Sequence, residues 1–151
     1  MFTLKVEAFR NGAEIPAVHT CEGENISPAL SWSGAPAGTK SFALIMEDPD
    51  APAGTWNHWL LWDIPTDTSS LPQHYRAAGP VHSGVNDFGK TGYGGPCPPK
   101  GHGPHRYFFR LYAVDTPSLG VRAGARRKEL DQALKPHTLG VAEYLGRFER
   151  K

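Results

Sequence analysis

Residues 84–115 read GVNDFGKTGYGGPCPPKGHGPHRYFFRLYAVD, and they decide how the chain folds. The first part is too rich in glycine and proline for a helix or a regular ladder. The second part, His105 to Val114, is a β-prone aromatic run. A long stiff loop feeding a buried strand makes a pocket rim, because the loop carries the groups and the sheet holds them still. One rival reading fails on its chemistry. Gly84 to Thr91 spells G-x-x-x-x-G-K-T, but a phosphate-cradling P-loop needs a helix directly behind it to present N-terminal amides. Gly94, Gly95, Pro96, Pro98 and Pro99 follow instead, and no helix starts there.

The flanking segments are strands too. Ser41 to Glu47 is apolar on both faces, as a central strand would be. Trp56 to Ile64 is the next strand, reached through the turn Asp48–Thr55. That turn holds Pro49 and Pro52, and the residue order leaves open whether either bond is cis. Residues 2–9 alternate as a half-buried strand, Asn11-Gly12 is a turn, and Leu30 to Trp32 is a short strand. Residues 123–135 form a helix that Pro136 ends, a second short helix covers Thr138 to Glu143, and residues 144–150 are strand-like. The 151 residues therefore form one domain, 1–151, mostly β.

Sixteen basic and fifteen acidic residues leave a net charge of +1, with no stripe for nucleic acid. The cluster Arg126-Arg127-Lys128 is followed by Glu129 and Asp131 and reads as a solvated helix face. No apolar run is long enough to span a membrane, so no stable membrane insertion is expected. The start, Met1 to Glu7, lacks the apolar core of a signal peptide, and a cytoplasmic location is expected. There Cys21 and Cys97 would be free thiols.

Side chains alternate along a strand. Counting by two, Asp48 continues the Phe42-Leu44-Met46 face, and His58 shares a face with Leu60 and Trp62. His105 and Tyr107 share one with Phe109 and Leu111. Suppose the 41–48 and 56–64 strands pair across their turn and His105 comes in from the same end. Asp48, His58, His105 and Tyr107 then converge on one pocket, stiffened by Pro49, Pro52 and Pro99. Two imidazoles, a phenol and the amides of residues 92–95, Gly94 among them, and 101–103 suit a small oxyanion such as phosphate, sulfate or carboxylate. Trp56, Trp59 and Tyr93 flank the pocket and would contact a group attached to the anion. Plainer readings compete. His58 alone reads as a satisfied core histidine, His102 as loop surface, Asp50 as the Asx cap of its turn, and the aromatics of 107–112 as core. His102-Gly-Pro-His105 is no standard zinc spacing, and no G-x-S-x-G elbow supports a hydrolase triad. No metal and no cofactor is expected.

Several longer motifs occur in order: Cys21-Glu-Gly-Glu-Asn-Ile-Ser-Pro28 with Leu30-Ser-Trp32, Asp48-Pro-Asp-Ala-Pro52, Trp56-Asn-His-Trp59, Asn86 to Pro99, and Gly103-Pro-His-Arg-Tyr-Phe-Phe109. Through them the chain resembles, over nearly its whole length, the phosphatidylethanolamine-binding protein family in its small bacterial and archaeal Raf-kinase-inhibitor-like branch. The resemblance implies a β-sandwich-like core with one or two short helices near the C-terminus and an anion pocket at one end. It places the family's pocket residues on Asp48, Pro49, Pro52, His58, Pro99, His105 and Tyr107. It also implies a homodimer. Two features depart from the eukaryotic members: Asn57 stands where they often carry a second histidine, and no longer C-terminal helix follows the last strand. The expected function is non-catalytic binding of a phosphate-like anion, lipid headgroup or other phosphorylated ligand, with a possible protein target. The alternatives are an inhibitor of a kinase or serine protease acting by surface contact, and a weak hydrolase using a His/Asp pair.

Overall fold

A computed structural model describes residues 1–151. The strands are β1 (Thr3–Val6), β2 (Leu30–Ser33), β3 (Ser41–Asp48), β4 (Trp56–Pro65), β5 (Ser70–Leu71), β6 (His82–Ser83), β7 (His105–Val114) and β8 (Thr138–Phe148), with one α-helix, α1 (Arg127–Leu134). Five strands form a sheet in the order β6-β4-β3-β7-β8, and three form a second in the order β1-β2-β5. All paired neighbours are antiparallel.

The apolar patterning explains this layering. Every residue of β3 is buried, because it lies mid-sheet with both faces covered. Its inward face, Phe42, Leu44 and Met46, meets Leu4 and Val6 of β1 and Leu30 and Trp32 of β2 across the main core. Its outward face, Ala43 and Ile45, packs with Leu60 and Trp62 under Leu130 and Leu134 of α1. The mostly β, sandwich-like architecture expected from the sequence is the architecture observed.

Five local expectations are corrected. Thr138 to Glu143 is not helical; it is the first half of β8, an unbroken strand paired with β7. Gly140 weakens a helix there by about 1 kcal/mol, and β7 offers a full ladder partner. Helix α1 begins at Arg127 rather than at 123, because Gly124 has φ +81°, outside helical space. Arg127 does not face solvent: it is half-buried, and its guanidinium donates to Glu47 (3.1 Å), Asn57 (2.8 Å) and Asp131 (2.7 Å), pinning α1 to the sheet. Cys21 and Cys97 are not free thiols; they form a disulfide that joins segments 76 residues apart. The bonds preceding Pro49 and Pro52 are both trans.

The last correction concerns β4. Met46 pairs with Trp59 but Glu47 pairs with Asn57, so His58 is the extra residue of a β-bulge. The bulge reverses the face of what precedes it. His58 therefore points inward with Trp59 and Leu61, not outward with Leu60 and Trp62. Asn57 lies on the opposite face, against Arg127 and Asp87, and takes no part in the pocket.

Candidate functional site

The inward ends of β3, β4 and β7 meet at one end of the sandwich. They enclose a cavity of about 180 Å³ lined by Asp48, His58, His105, Tyr107 and Trp56, with Ala51, Pro52, Phe88, Cys97, Pro98 and Pro99 as walls. Of the sequence-predicted residues, Asp48, Pro52, Trp56, His58, Pro99, His105 and Tyr107 come together here. Pro49 and Asp50 lie outside the lining, in the turn behind it. Trp59 is fully buried against Tyr93, with ring centroids 5.3 Å apart, and neither lines the cavity.

Asp48 is the organising group. Its Oδ1 accepts the amide of Asp50 (2.7 Å), and its Oδ2 accepts Nδ1–H of His105 (2.7 Å). The Asx turn thus belongs to Asp48 and not, as expected, to Asp50. Asp50 instead receives two guanidinium bonds from Arg106, both 2.9 Å, and the Arg106 amide. Those hydrogen bonds hold its carboxyl down to about 2. This clamp fixes the β3–β4 turn on the end of β7.

His58 donates Nδ1–H to the Gly94 carbonyl at 2.6 Å, which leaves Nε2 as its free nitrogen. Burial holds the ring below the usual histidine range, against the smaller opposing pull of that carbonyl and of the Asp48 charge. It stands edge-on to both Tyr107 (5.3 Å) and Phe88 (5.4 Å). The Tyr107 hydroxyl is buried and has no hydrogen-bond partner. Burial first, then the Asp48 charge and the hydroxyl's approach to that carboxylate, push its ionisation well above the ordinary phenol range, so it is held as an O–H donor.

The loop quoted at the outset forms the far wall, but differently from the sequence reading. The amides of residues 92, 94 and 95 donate to Gly84, His58 and Asn25, so they are structural and not anion donors. Asn86 holds the loop's first turn: its side chain donates to the Gly92 carbonyl and accepts the amides of Phe88 and Lys90. The disulfide, the Tyr93 hydroxyl bond to His19 and the Cys21 amide bond to Pro96 hold the rest. Sequence reasoning missed Phe88, a large apolar residue left 42% exposed on the rim. It also missed Arg150, whose Nε donates to Pro98 (2.7 Å). A phenylalanine in a Gly-rich turn was the available signal for the first; nothing local signals the second. No group of three or more His, Cys, Asp or Glu side chains is arranged to hold a metal ion, and no helix is long and apolar enough to cross a membrane.

Comparison with known proteins agrees with this fold. A protein of Aquifex aeolicus named UPF0098 protein is 49% identical over 147 residues, covering 95% of this chain and 85% of that one. The crystal structure of Escherichia coli YbcL, titled a new member of the mammalian PEBP family, superposes with TM-score 0.93 at 35% identity and covers 99% of both chains. A carboxypeptidase Y inhibitor, solved in complex with its cognate proteinase, shares the fold alone, with TM-score 0.62 at 20% identity over 99% of this chain and 84% of that one. The sequence profile described as phosphatidylethanolamine-binding protein matches residues 5–149, and the chain belongs to that family.

Proposed function

We propose that the cavity is a non-catalytic binding site for a small oxyanion, either free phosphate or the phosphorylated end of a larger ligand such as a lipid headgroup. The observation that carries this reading is the Tyr107 hydroxyl, buried and unpartnered beside two buried imidazoles. An orphaned buried donor costs about 1–3 kcal/mol, and a ligand acceptor removes that cost. Size supports a compact group. About 180 Å³ is below the roughly 300–1,000 Å³ of pockets that enclose drug-sized ligands. The lining has no serine or threonine, and Cys97 is tied in its disulfide, so a hydrolase here would depend on the His105–Asp48 pair activating water.

Backbone-amide NMR titration with phosphate, then O-phosphorylethanolamine, tests the reading. Saturable shifts at Asp48, His58 and Tyr107 are expected. His105→Ala should weaken them by about 1–3 kcal/mol, the range for a charge-assisted bond. No shift at millimolar concentrations of either compound would move the function to protein contact. The exposed Phe88 ring, edge-on to Trp56 at 5.5 Å, favours that second reading, in which the pocket rim docks on a kinase or protease. The expected cytoplasmic placement is tested by thiol labelling in cells. Disulfides persist in oxidising compartments and in hyperthermophile cells, so a reduced Cys21–Cys97 pair would support an ordinary cytoplasm. We also propose a homodimer, formed through the open edge of β8.

A further inference from the structure

His102 lies outside the cavity lining, yet it closes a hydrogen bond onto a cavity residue. Its Nδ1 is 2.7 Å from His105 Nε2, with the ring centroids 4.9 Å apart. His105 is only 2% exposed, and its Nδ1 already donates to Asp48. Both nitrogens of His105 are therefore occupied, and neither meets a ligand while His102 stays in place. Two imidazole nitrogens facing each other hold one proton between them: one donates and the other accepts. If both rings are charged, each nitrogen carries its own proton and the bond becomes a repulsion. His102 is exposed, so its side chain can swing away by rotation about its own bonds while the backbone stays held by the Gly101 amide on Arg150 and the His102 amide on Pro99.

We propose that His102 is a positioning residue of the oxyanion pocket. In the free protein it holds His105 Nε2, and an oxyanion replaces it as His105 takes up a proton on that nitrogen. This rests on the oxyanion reading given above. The ionisable groups around the pair come from every neighbouring element: Asp48 from β3, Asp50 and Arg106 paired with each other, His58 from β4, Tyr107 from β7, Arg150 beyond β8, and Lys100 in the same loop. Only Asp48 bonds to His105 directly, so the carboxylate that orients the ring also neutralises the charge it gains. Binding that takes up one proton weakens as pH rises, by about tenfold per unit. Without that exchange His105 presents no N–H to the cavity, whose lining keeps two unpartnered donors, the Tyr107 hydroxyl and the Trp56 indole N–H.

Inorganic sulfate is the probe, because its own charge stays constant across the histidine range. Its affinity is measured calorimetrically for the wild type and His102→Ala at about pH 5.5 and about pH 8. The wild type is expected to bind much more weakly at the higher pH. His102→Ala should bind roughly three- to tenfold more tightly than the wild type there, since no neutral hydrogen bond competes. Because proton uptake is what parts the rings, the gap between the two proteins should close at the lower pH. Equal affinities at both values, or weaker binding by the variant at both, overturn the role of His102 while leaving the oxyanion site standing. Sulfate binding by neither protein at either pH overturns the oxyanion reading, and this proposal with it. His102 is exposed in a loop, and amide shifts unchanged away from residues 100–105 confirm that the variant folds.

Discussion

Among single residues, Tyr107 separates ligand binding from stability most cleanly. Its hydroxyl is buried, approaches the Asp48 carboxylate and has no partner at full hydrogen-bond geometry in the free fold. Tyr107→Phe therefore removes an unsatisfied group and keeps the ring's packing against His58 and His105. Chemical denaturation should show stability unchanged or raised by up to about 1 kcal/mol, whereas phosphate affinity falls by a similar amount. A loss of stability with unchanged affinity would make the hydroxyl structural. Asp48 and Asp50 show a different lesson. Both were visible as a pair of turn carboxylates. The role each plays follows from position: Asp48 ends on the inward face of β3, and Asp50 faces the exposed Arg106.

Elements matter through the way they are fastened. The pocket's far wall, Gly94 to Pro99, belongs to no strand, so its place depends on cross-links. The Cys21–Cys97 disulfide ties it to the segment after the 3-10 turn Ala17–His19. Closing 76 residues removes much chain entropy from the unfolded state. Reduction, or the double change Cys21→Ser and Cys97→Ser, should lower unfolding free energy by about 2–4 kcal/mol, read as a drop in guanidinium midpoint. Retained stability would mean that the surrounding hydrogen bonds hold the wall unaided. The β4 bulge acts on the other side of the cavity. One extra residue turns His58 inward and sends Asn57 outward to Arg127.

At the level of the molecule, the five-stranded sheet has an edge that the chain only half covers. Residues 12–15 bond to Leu145 and Arg147, closing the C-terminal half of β8. By strand alternation Val141 and Glu143 direct their main-chain groups the same way, and no backbone partner meets them. Leu139 and Val141, 42% and 46% exposed, stand on this open stretch. In the proposed homodimer, an antiparallel pairing of β8 with its copy about a two-fold axis would satisfy these groups and cover part of both side chains. Sedimentation analysis should find a dimer that Val141→Arg converts to a monomer with an unchanged amide spectrum. A wild type that is monomeric at all concentrations would refute this arrangement.

Much of this was readable in the order of residues. Alternation in 2–9, the doubly apolar run 41–47 and the aromatic run 105–114 announced a layered β fold, because a buried sheet face imposes a period of two. Asp48, His105 and Tyr107 fell on the correct faces for the same reason. What residue order could not decide were matters of pairing. The bulge at His58 exists only relative to β3, and counting by two along β4 alone gives the wrong face. Residues 138–143 took their conformation from β7, not from local propensity. The disulfide depended on bringing positions 21 and 97 to a Cα separation of 5.4 Å. His102 looked like loop surface until the fold placed it on His105. Periodicity is written along the chain, but register, cross-links and hydrogen bonds between distant segments arise only when the segments meet in space.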